Sequence, residues 1–199
     1  MSEDHTHVQE FFGARAADWD RKFPGDAPAF ATAVAEFGLR HGDRVLDAGC
    51  GTGRALTALR AAVGPAGTVL GADLTPQMLA AAQRAGRGAE GTLLLADVAR
   101  LPLRDGVLDA VFAAGLIAHL PDPGANLREL ARVVRPGGRL ALFHPIGRAA
   151  LAARHGRELT SEDMRAEHNL GPLLAGSGWE MTSYADEDAR FLVLAVRHP

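Results

Sequence analysis

From Arg44 onward the chain alternates short apolar runs with segments whose apolar residues recur at helical spacing. This alternation restricts the fold more than any other feature. Val45 to Ala48 reads as a strand, followed by a glycine loop and a helix carrying Leu56, Leu59 and Val63. Thr68 to Ala72 reads as a second strand, Thr75-Pro76 as a helix start, and Met78 to Ala85 as its body. Thr92 to Ala96 and Leu108 to Ala113 follow as strands, and then Asp122-Pro123 opens a helix with Leu127, Leu130, Ala131 and Val134 on one face. Arg135-Pro136-Gly137-Gly138 stops that helix, Arg139 to Phe143 is a fifth strand, and a further helix is expected from Ser161 to Ala175. Continuous apolar strands separated by helices predict a parallel sheet covered on both faces, the doubly wound α/β class. The last two strands, Trp179 to Tyr184 and Arg190 to Val196, are joined by a short acidic turn, Asp186 to Asp188. They must be antiparallel, so a seven-stranded, mostly parallel sheet is expected to finish in a C-terminal hairpin.

Upstream, Phe11, Phe12, Trp19 and Phe23 concentrate aromatic residues in one segment, and the ten residues before them read as a loose tail. Pro28 suits the first turn of a helix bearing Phe30, Val34 and Phe37, ended by Gly38. No linker or repeat divides the 199 residues, so one domain is expected over 1–199. Within it, 1–40 is the tail, lid and first helix, 41–143 the cofactor-binding half, and 144–199 a substrate-side loop, helix and hairpin.

A formal net charge of −3 argues against nucleic acid as principal partner. A single cysteine, Cys50, rules out an internal disulfide and any multi-cysteine zinc site and fits a reducing compartment. No run approaches the roughly 20 apolar residues of a membrane span, and the first ten residues lack an apolar signal core. A soluble cytoplasmic protein without membrane contact is the resulting expectation, either a monomer or a homodimer.

In a sheet of this kind ligands bind beyond the carboxyl ends of the strands, and the first strand-to-helix loop is the natural nucleotide contact. Here that loop is Gly49-Cys50-Gly51-Thr52-Gly53, whose alternate glycines permit a tight turn and close approach of a ligand. Asp47, two residues ahead, would repel a pyrophosphate but attract an ammonium or sulfonium ligand. The third glycine follows the second by two residues, where the dinucleotide fingerprint has three.

Val45-Leu46-Asp47-Ala48-Gly49-Cys50-Gly51-Thr52-Gly53 resembles the first motif of the class I S-adenosylmethionine-dependent methyltransferases, in particular their small-molecule group of the methyltransferase type 11 kind. The order of elements from about Phe11 is similar to that family's Rossmann-like fold. The resemblance implies S-adenosylmethionine as cofactor, S-adenosylhomocysteine as product, and a small-molecule acceptor methylated by in-line transfer. It assigns Asp73, in Gly71-Ala72-Asp73-Leu74, to the ribose hydroxyls, with Leu74 beside it, and Asp97-Val98 to the adenine. Asp47, Gly49, Cys50, Gly51 and Gly53 form the cofactor loop, Met78 lies against the adenine face, and Ala114 belongs to the fourth-strand segment that runs to Asp122.

Each assignment has a plainer alternative. Asp97 can simply close a turn, Met78 can belong to the helix core, and Cys50 can be a small filler with no neighbouring His or Lys to lower its pKa. His119, just past the fourth strand, and His144, at the end of the fifth, are the candidate catalytic groups, able to hold or deprotonate an acceptor. A structural histidine is the competing reading. Phe12 and Trp19 are candidate lid residues and Arg148 a candidate substrate contact. Arg148, Arg154, His155 and Arg157 favour an anionic acceptor if they line the cleft, and are otherwise a solvated helix face.

The fourth-strand segment lacks the Asn/Asp-Pro-Pro-Tyr/Phe pattern of nucleic-acid amino-methylating enzymes, and Ala113-Ala114-Gly115 lacks the acidic residue with which catechol-type enzymes anchor a metal, so no metal is expected. Two other readings stay open. One is a non-catalytic module that binds S-adenosylmethionine or S-adenosylhomocysteine, and the other a nicotinamide dehydrogenase.

Overall fold

The computed structural model describes residues 3–199, and Met1 and Ser2 of the expected tail lie outside the described residues. Eight helices and seven strands are described in the order α1 (Glu3–Gly13), α2 (Trp19–Lys22), α3 (Ala27–Phe37), β1 (Arg44–Ala48), α4 (Leu56–Val63), β2 (Thr68–Asp73), α5 (Pro76–Arg84), β3 (Thr92–Leu95), β4 (Leu108–Ala114), α6 (Pro123–Val133), β5 (Val134–His144), α7 (Arg148–Arg154), α8 (Glu167–Ala175), β6 (Trp179–Glu187) and β7 (Arg190–Arg197). The strands form one sheet in the order β3-β2-β1-β4-β5-β7-β6, with β7 antiparallel to both neighbours and every other pairing parallel. The expected doubly wound sheet and C-terminal hairpin are therefore present. The order reverses between β1 and β4, and the crevice beyond that junction is where such sheets bind ligands.

Both faces of the central strands are buried. Phe30, Val34 and Phe37 of α3 and Leu56, Leu59 and Val63 of α4 pack with Val45, Phe112 and Phe143 on one side. Leu127 and Leu130 of α6, Leu170 and Leu174 of α8, and Trp179 pack with Leu46, Val111 and Leu140 on the other. Trp179 is fully buried, and its indole N–H donates to the Leu127 carbonyl at 2.9 Å, so the one polar atom of the ring is satisfied inside the core.

Three expectations change. Of the expected loose tail, residues 3–10 are helical, because α1 begins at Glu3. Its anchoring is tertiary: Gln9 Nε2 donates to the Leu74 carbonyl at 2.8 Å, a contact 65 residues away in sequence. The segment Arg135 to Gly138 does not separate helix from strand. β5 starts at Val134, and its register against β4 jumps from Leu108↔Val134 to Ala110↔Arg139, so the proline-glycine stretch is a bulge inside the strand. Asp109, the residue spanned by the bulge, accepts from Arg135 Nε and from the Arg44 N–H, both at 2.8 Å. Finally, α8 starts at Glu167, six residues later than expected, because Ser161 to Ala166 are held as turns by Asn169 Nδ2 donating to the Ser161 and Asp163 carbonyls. Among the described residues no helix is long and apolar enough to cross a membrane.

Candidate active site

A cavity of about 1180 Å³ lies over the β1–β4 junction, walled by the loops at the strand ends and roofed by the N-terminal segment. At its floor the glycine loop leaves β1. Gly49 has φ +68°, and a Cβ there would come within 2.8 Å of Leu116 Cδ1, so both conformation and space require glycine. Gly51 also has positive φ, and its nearest neighbour, Met78 Sδ, lies 4.0 Å from where a Cβ would stand, which leaves the loop open to a ligand on that side. Gly53 does not line the cavity; it lies where the chain turns into α4.

Asp47 is 1% exposed and its Oδ1 has no hydrogen-bond partner. Burial first, and the charge of Asp73 second, push its pKa up to about 8. A buried carboxyl lining a cavity with one oxygen unsatisfied is a site waiting for a cationic donor, since an unpaired buried acceptor is costly. Asp73 is differently placed: Oδ2 accepts from the Gly51 N–H and Oδ1 from the Thr75 N–H, both at 2.8 Å. Burial raises its pKa and these backbone donors oppose the rise. The Thr75 hydroxyl is a third donor to the same carboxylate, and the lone pair that remains is open to a ligand hydroxyl.

Asp97 lines the cavity while its Oδ1 closes a turn on the Ala99 N–H at 2.8 Å, so the plainer reading of this residue accounts for one of its oxygens. Leu74, Met78, Val98 and Ala114 also line the wall. Met78 is 2% exposed and is therefore a core residue as well as a wall residue. Cys50 packs beneath Gly71, where a Cβ would come within 3.1 Å of its sulfur. Burial and the neighbouring Asp47 and Asp73 charges hold the Cys50 thiol well above its ordinary pKa, so it is a filler and not a nucleophile.

His119 and His144 both face the cavity. Nδ1 of His144 lies 2.9 Å from the Ile146 carbonyl and 3.2 Å from the Ile146 N–H. Both contacts engage Nδ1, which leaves Nε2 for a ligand. Burial holds both imidazoles below their ordinary pKa, and the charge of Arg165 lowers both further. His119 is open to the cavity space but surrounded by protein, with the Phe12 ring edge-on at 5.0 Å.

That contact belongs to a row of rings. Phe12 meets Trp19 at 5.6 Å, and Trp19 meets Phe23 at 5.3 Å. The row is held down by ionic pins that sequence reasoning missed. Asp20 accepts from Thr52 Oγ1 and from Arg87 Nη1, both at 2.6 Å, and Arg87 Nη1 also donates to the Thr52 carbonyl at 2.7 Å. Arg54 donates to the Phe23 carbonyl at 2.8 Å and pairs with Asp26 at 2.9 Å. The partners of Asp20 are 32 and 67 residues distant, and no local pattern marks them. The segment is thereby tied to the glycine loop itself.

Arg148, expected to touch substrate, does not line the cavity; its Nε donates to Asp186 Oδ2 at 2.8 Å and its backbone N–H to Asp186 Oδ1 at 2.8 Å. Asp186, expected in the turn, instead belongs to the end of β6, opposite Phe191 of β7, and captures Arg148 from there. Arg154, His155 and Arg157 do line the mouth, and so does Arg165, which sequence reasoning did not single out. Among the described residues no group of three or more His, Cys, Asp or Glu is placed to hold a metal ion.

Comparison with known proteins agrees with this geometry. Residues 46–142 match the family model described as a methyltransferase domain. A stretch of 114 residues, 55% of this chain, is 39% identical to methyltransferase GfsG of Streptomyces halstedii and covers 40% of that protein. The curated relatives it matches are longer: the aligned stretch spans 31%, 40% and 43% of three of them. Among solved structures, a SAM-dependent methyltransferase from Aquifex aeolicus is 26% identical with a TM-score of 0.70, over 84% of this chain and 89% of that one. The magnesium protoporphyrin IX methyltransferase from Synechocystis PCC 6803, solved with bound SAM, shares the fold at 21% identity and a TM-score of 0.73, over 99% of this chain and 98% of that one.

Proposed function

We propose, for a chain whose residues 46–142 belong to the class I S-adenosylmethionine-dependent methyltransferases, that the cavity binds S-adenosylmethionine and that the protein transfers its methyl group to a small molecule. The observation that carries this reading is the buried, unpartnered Oδ1 of Asp47 beside an open glycine loop. A dinucleotide would bring a pyrophosphate to that loop and meet a carboxyl; the α-ammonium of S-adenosylmethionine supplies the missing donor. When bound, this cofactor supplies a methyl group already activated on a sulfonium centre.

The chain's own residues then divide the work. Asp47 pairs with the ammonium, Asp73 accepts from the ribose on its remaining lone pair, and Asp97 with the Val98 N–H meets the adenine edge, Met78 lying against its face. The roof formed by Phe12, Trp19 and Phe23 excludes water and aligns the acceptor, which is most of what an in-line displacement needs. His144, held through Nδ1 by Ile146, takes a proton from the acceptor at Nε2, and His119 orients the acceptor against Phe12. Because both imidazoles are neutral near pH 7, neither needs prior deprotonation.

Calorimetry with S-adenosylmethionine, S-adenosylhomocysteine and NADH tests the cofactor. Binding of the first two and not of NADH is expected, and NADH binding alone refutes the proposal. Incubation with methyl-labelled S-adenosylmethionine and a metabolite panel tests transfer; binding with no acceptor labelled would instead support a cofactor-binding module.

A further inference from the structure

We infer that the acceptor end of the cavity is built for an aromatic ring bearing a carboxylate, the ring lying under Phe12, Trp19 and Phe23 and the carboxylate meeting Arg154 and Arg165. The inference rests on the methyltransferase reading and names the substrate class of the same site.

The ring row defines a slot with a different polar group at each end. At one end Phe12 abuts His119 at 5.0 Å. At the other, the guanidinium carbon of Arg154 stands 5.3 Å from the Phe23 centroid. Between them Trp19 bridges Phe12 and Phe23 with ring planes inclined by 60° and 56°, so the row gives the cavity an apolar wall of angled facets against which a ring packs by edge or face. An aromatic acceptor laid along it would place one substituent by the imidazole and another by the guanidinium.

The cations around this slot are not equivalent. Arg54 also overhangs Phe23 and Phe30, at 5.8 and 5.1 Å, but its charge is taken by Asp26 at 2.9 Å. Arg15 also lines the cavity, where it donates to the Phe11 carbonyl and covers the Phe11 ring. Arg154 makes no ion pair among the described residues. A guanidinium that rests on an aromatic face and has no carboxylate is poised to take one in fork geometry.

Arg165 supplies further donors from the opposite segment of chain. Its Nε and Nη2 donate to Asp163 at 3.1 and 2.9 Å, which fixes the plane of the guanidinium and leaves Nη1 for a ligand. Arg148, 3.9 Å from the same carboxylate, is itself paired with Asp186 at 2.8 Å, so Asp163 answers the charge of Arg165 and the guanidinium acts on a ligand through the donors of Nη1. The field of Arg165 still reaches both His119 and His144. Tyr184 Oη donates to the Arg165 carbonyl at 3.0 Å and anchors the backbone beneath it. Glu158 and Asp122 also border the cavity, the first on the exposed rim and the second spent as the cap of α6 on the Ala125 N–H at 2.9 Å.

Matched acid and amide probes test the inference on protein saturated with S-adenosylhomocysteine. Benzoate, trans-cinnamate and indole-3-acetate are compared with benzamide, cinnamamide and indole-3-acetamide by calorimetry and saturation-transfer NMR. At least one acid is expected to bind about tenfold or more tightly than its amide, and the preference is expected to fall several-fold in R154Q and in R165Q. R165K, which keeps the charge but loses the fork, is expected to lie between R165Q and the wild type. R104Q, at an exposed loop position away from the cavity, is expected to change nothing. If R165Q fails to fold, R154Q and R165K decide the matter. Equal binding of acids and amides, or a preference unaltered in both R154Q and R165K, overturns the inference. Failure of the wild type to bind S-adenosylhomocysteine at all would refute the methyltransferase reading itself, and is seen before any probe is added.

Discussion

Asp47 ties cofactor binding to protons in a way that can be measured directly. In the unliganded protein its pKa stands at about 8, from burial and from Asp73. At pH 6 the carboxyl is therefore about 99% protonated and at pH 7 about 90%. To pair with an ammonium it must ionise, so cofactor binding at pH 6 should release about one proton. Ionising the group at pH 7 costs about 1.4 kcal/mol of the binding free energy. The ligand adds no opposing step over this range, because the α-ammonium of a free amino acid is held charged by its own carboxylate to a higher pH than a peptide N-terminus. The net proton exchange should therefore be about −1 at pH 6 and fall to about half that at pH 8, where the carboxyl is already half ionised. The assay is calorimetric titration with S-adenosylhomocysteine in buffers of different ionisation enthalpy; the slope of observed enthalpy against buffer enthalpy gives the proton count. Asp47→Asn should abolish the release at pH 6 and weaken binding roughly 10- to 100-fold. A wild-type slope of zero at pH 6, or the same slope in Asp47→Asn, would refute the assignment of Asp47 to the ammonium.

The same raised pKa acts on folding with a definite sign: between about 3.8 and 8 the folded chain holds a proton on Asp47 that the unfolded chain has lost, so the stability from this group is complete below that window and is lost as pH rises through it. Unliganded Asp47→Asn should accordingly melt higher than the wild type at pH 8 and alike at pH 4 in paired thermal scans. Asp20→Asn removes the charge opposite Arg87 and leaves one acceptor oxygen where Thr52 and Arg87 use two; a loss of about 1 kcal/mol in holding the roof shut should speed cofactor dissociation roughly fivefold and expose α1 and α2 to limited proteolysis, while the melting temperature moves by only about 2–4 °C. His144→Ala should lower kcat by about 10²- to 10⁴-fold and leave S-adenosylhomocysteine affinity intact, and the acid limb of the wild-type profile should fall below the ordinary histidine range because burial lowers the His144 pKa. Trp179→Ala should cost about 3–5 kcal/mol of stability, read as a fall in denaturation midpoint, because it empties a fully buried indole site and removes the indole hydrogen bond to the Leu127 carbonyl.

Those features that depend on local chemistry were legible in the sequence. The glycine loop, the strand-end carboxylates Asp47, Asp73 and Asp97, and the proline and glycine positions bounding α3 and α5 carry their own signals, because each is set by backbone geometry within a few residues. The hairpin of β6 and β7 was legible for the same reason. What the sequence hid is decided by tertiary pairing. α1 has no apolar face strong enough to announce it and is fastened by Gln9 to Leu74. Arg148 and Arg154 lie six residues apart on one helix and read alike as charges, yet the first is captured by Asp186 and the second is left over the Phe23 ring. Only the pairing of β6 with β7, which brings Asp186 to the start of α7, separates a strut from a ligand-facing cation.

The pins at Asp20 and Arg54 also bear on how cofactor and acceptor are coupled. Thr52 and Arg54 belong to the glycine loop and the turn that leaves it, whereas Asp20 and Asp26 flank the rings that roof the acceptor slot. Any shift of the loop on binding cofactor is therefore transmitted to Trp19 and Phe23 through hydrogen bonds of 2.6 to 2.9 Å, without passing through the sheet. An acceptor held under those rings is in turn braced against the loop that holds the donor. The relation must be reciprocal, since a coupling free energy between two ligands has one value whichever binds first. Cutting the pins by Asp20→Asn combined with Arg54→Gln should leave each ligand able to bind alone but remove the dependence of one affinity on the other, and a coupling that survives the double substitution would require a path through the sheet instead.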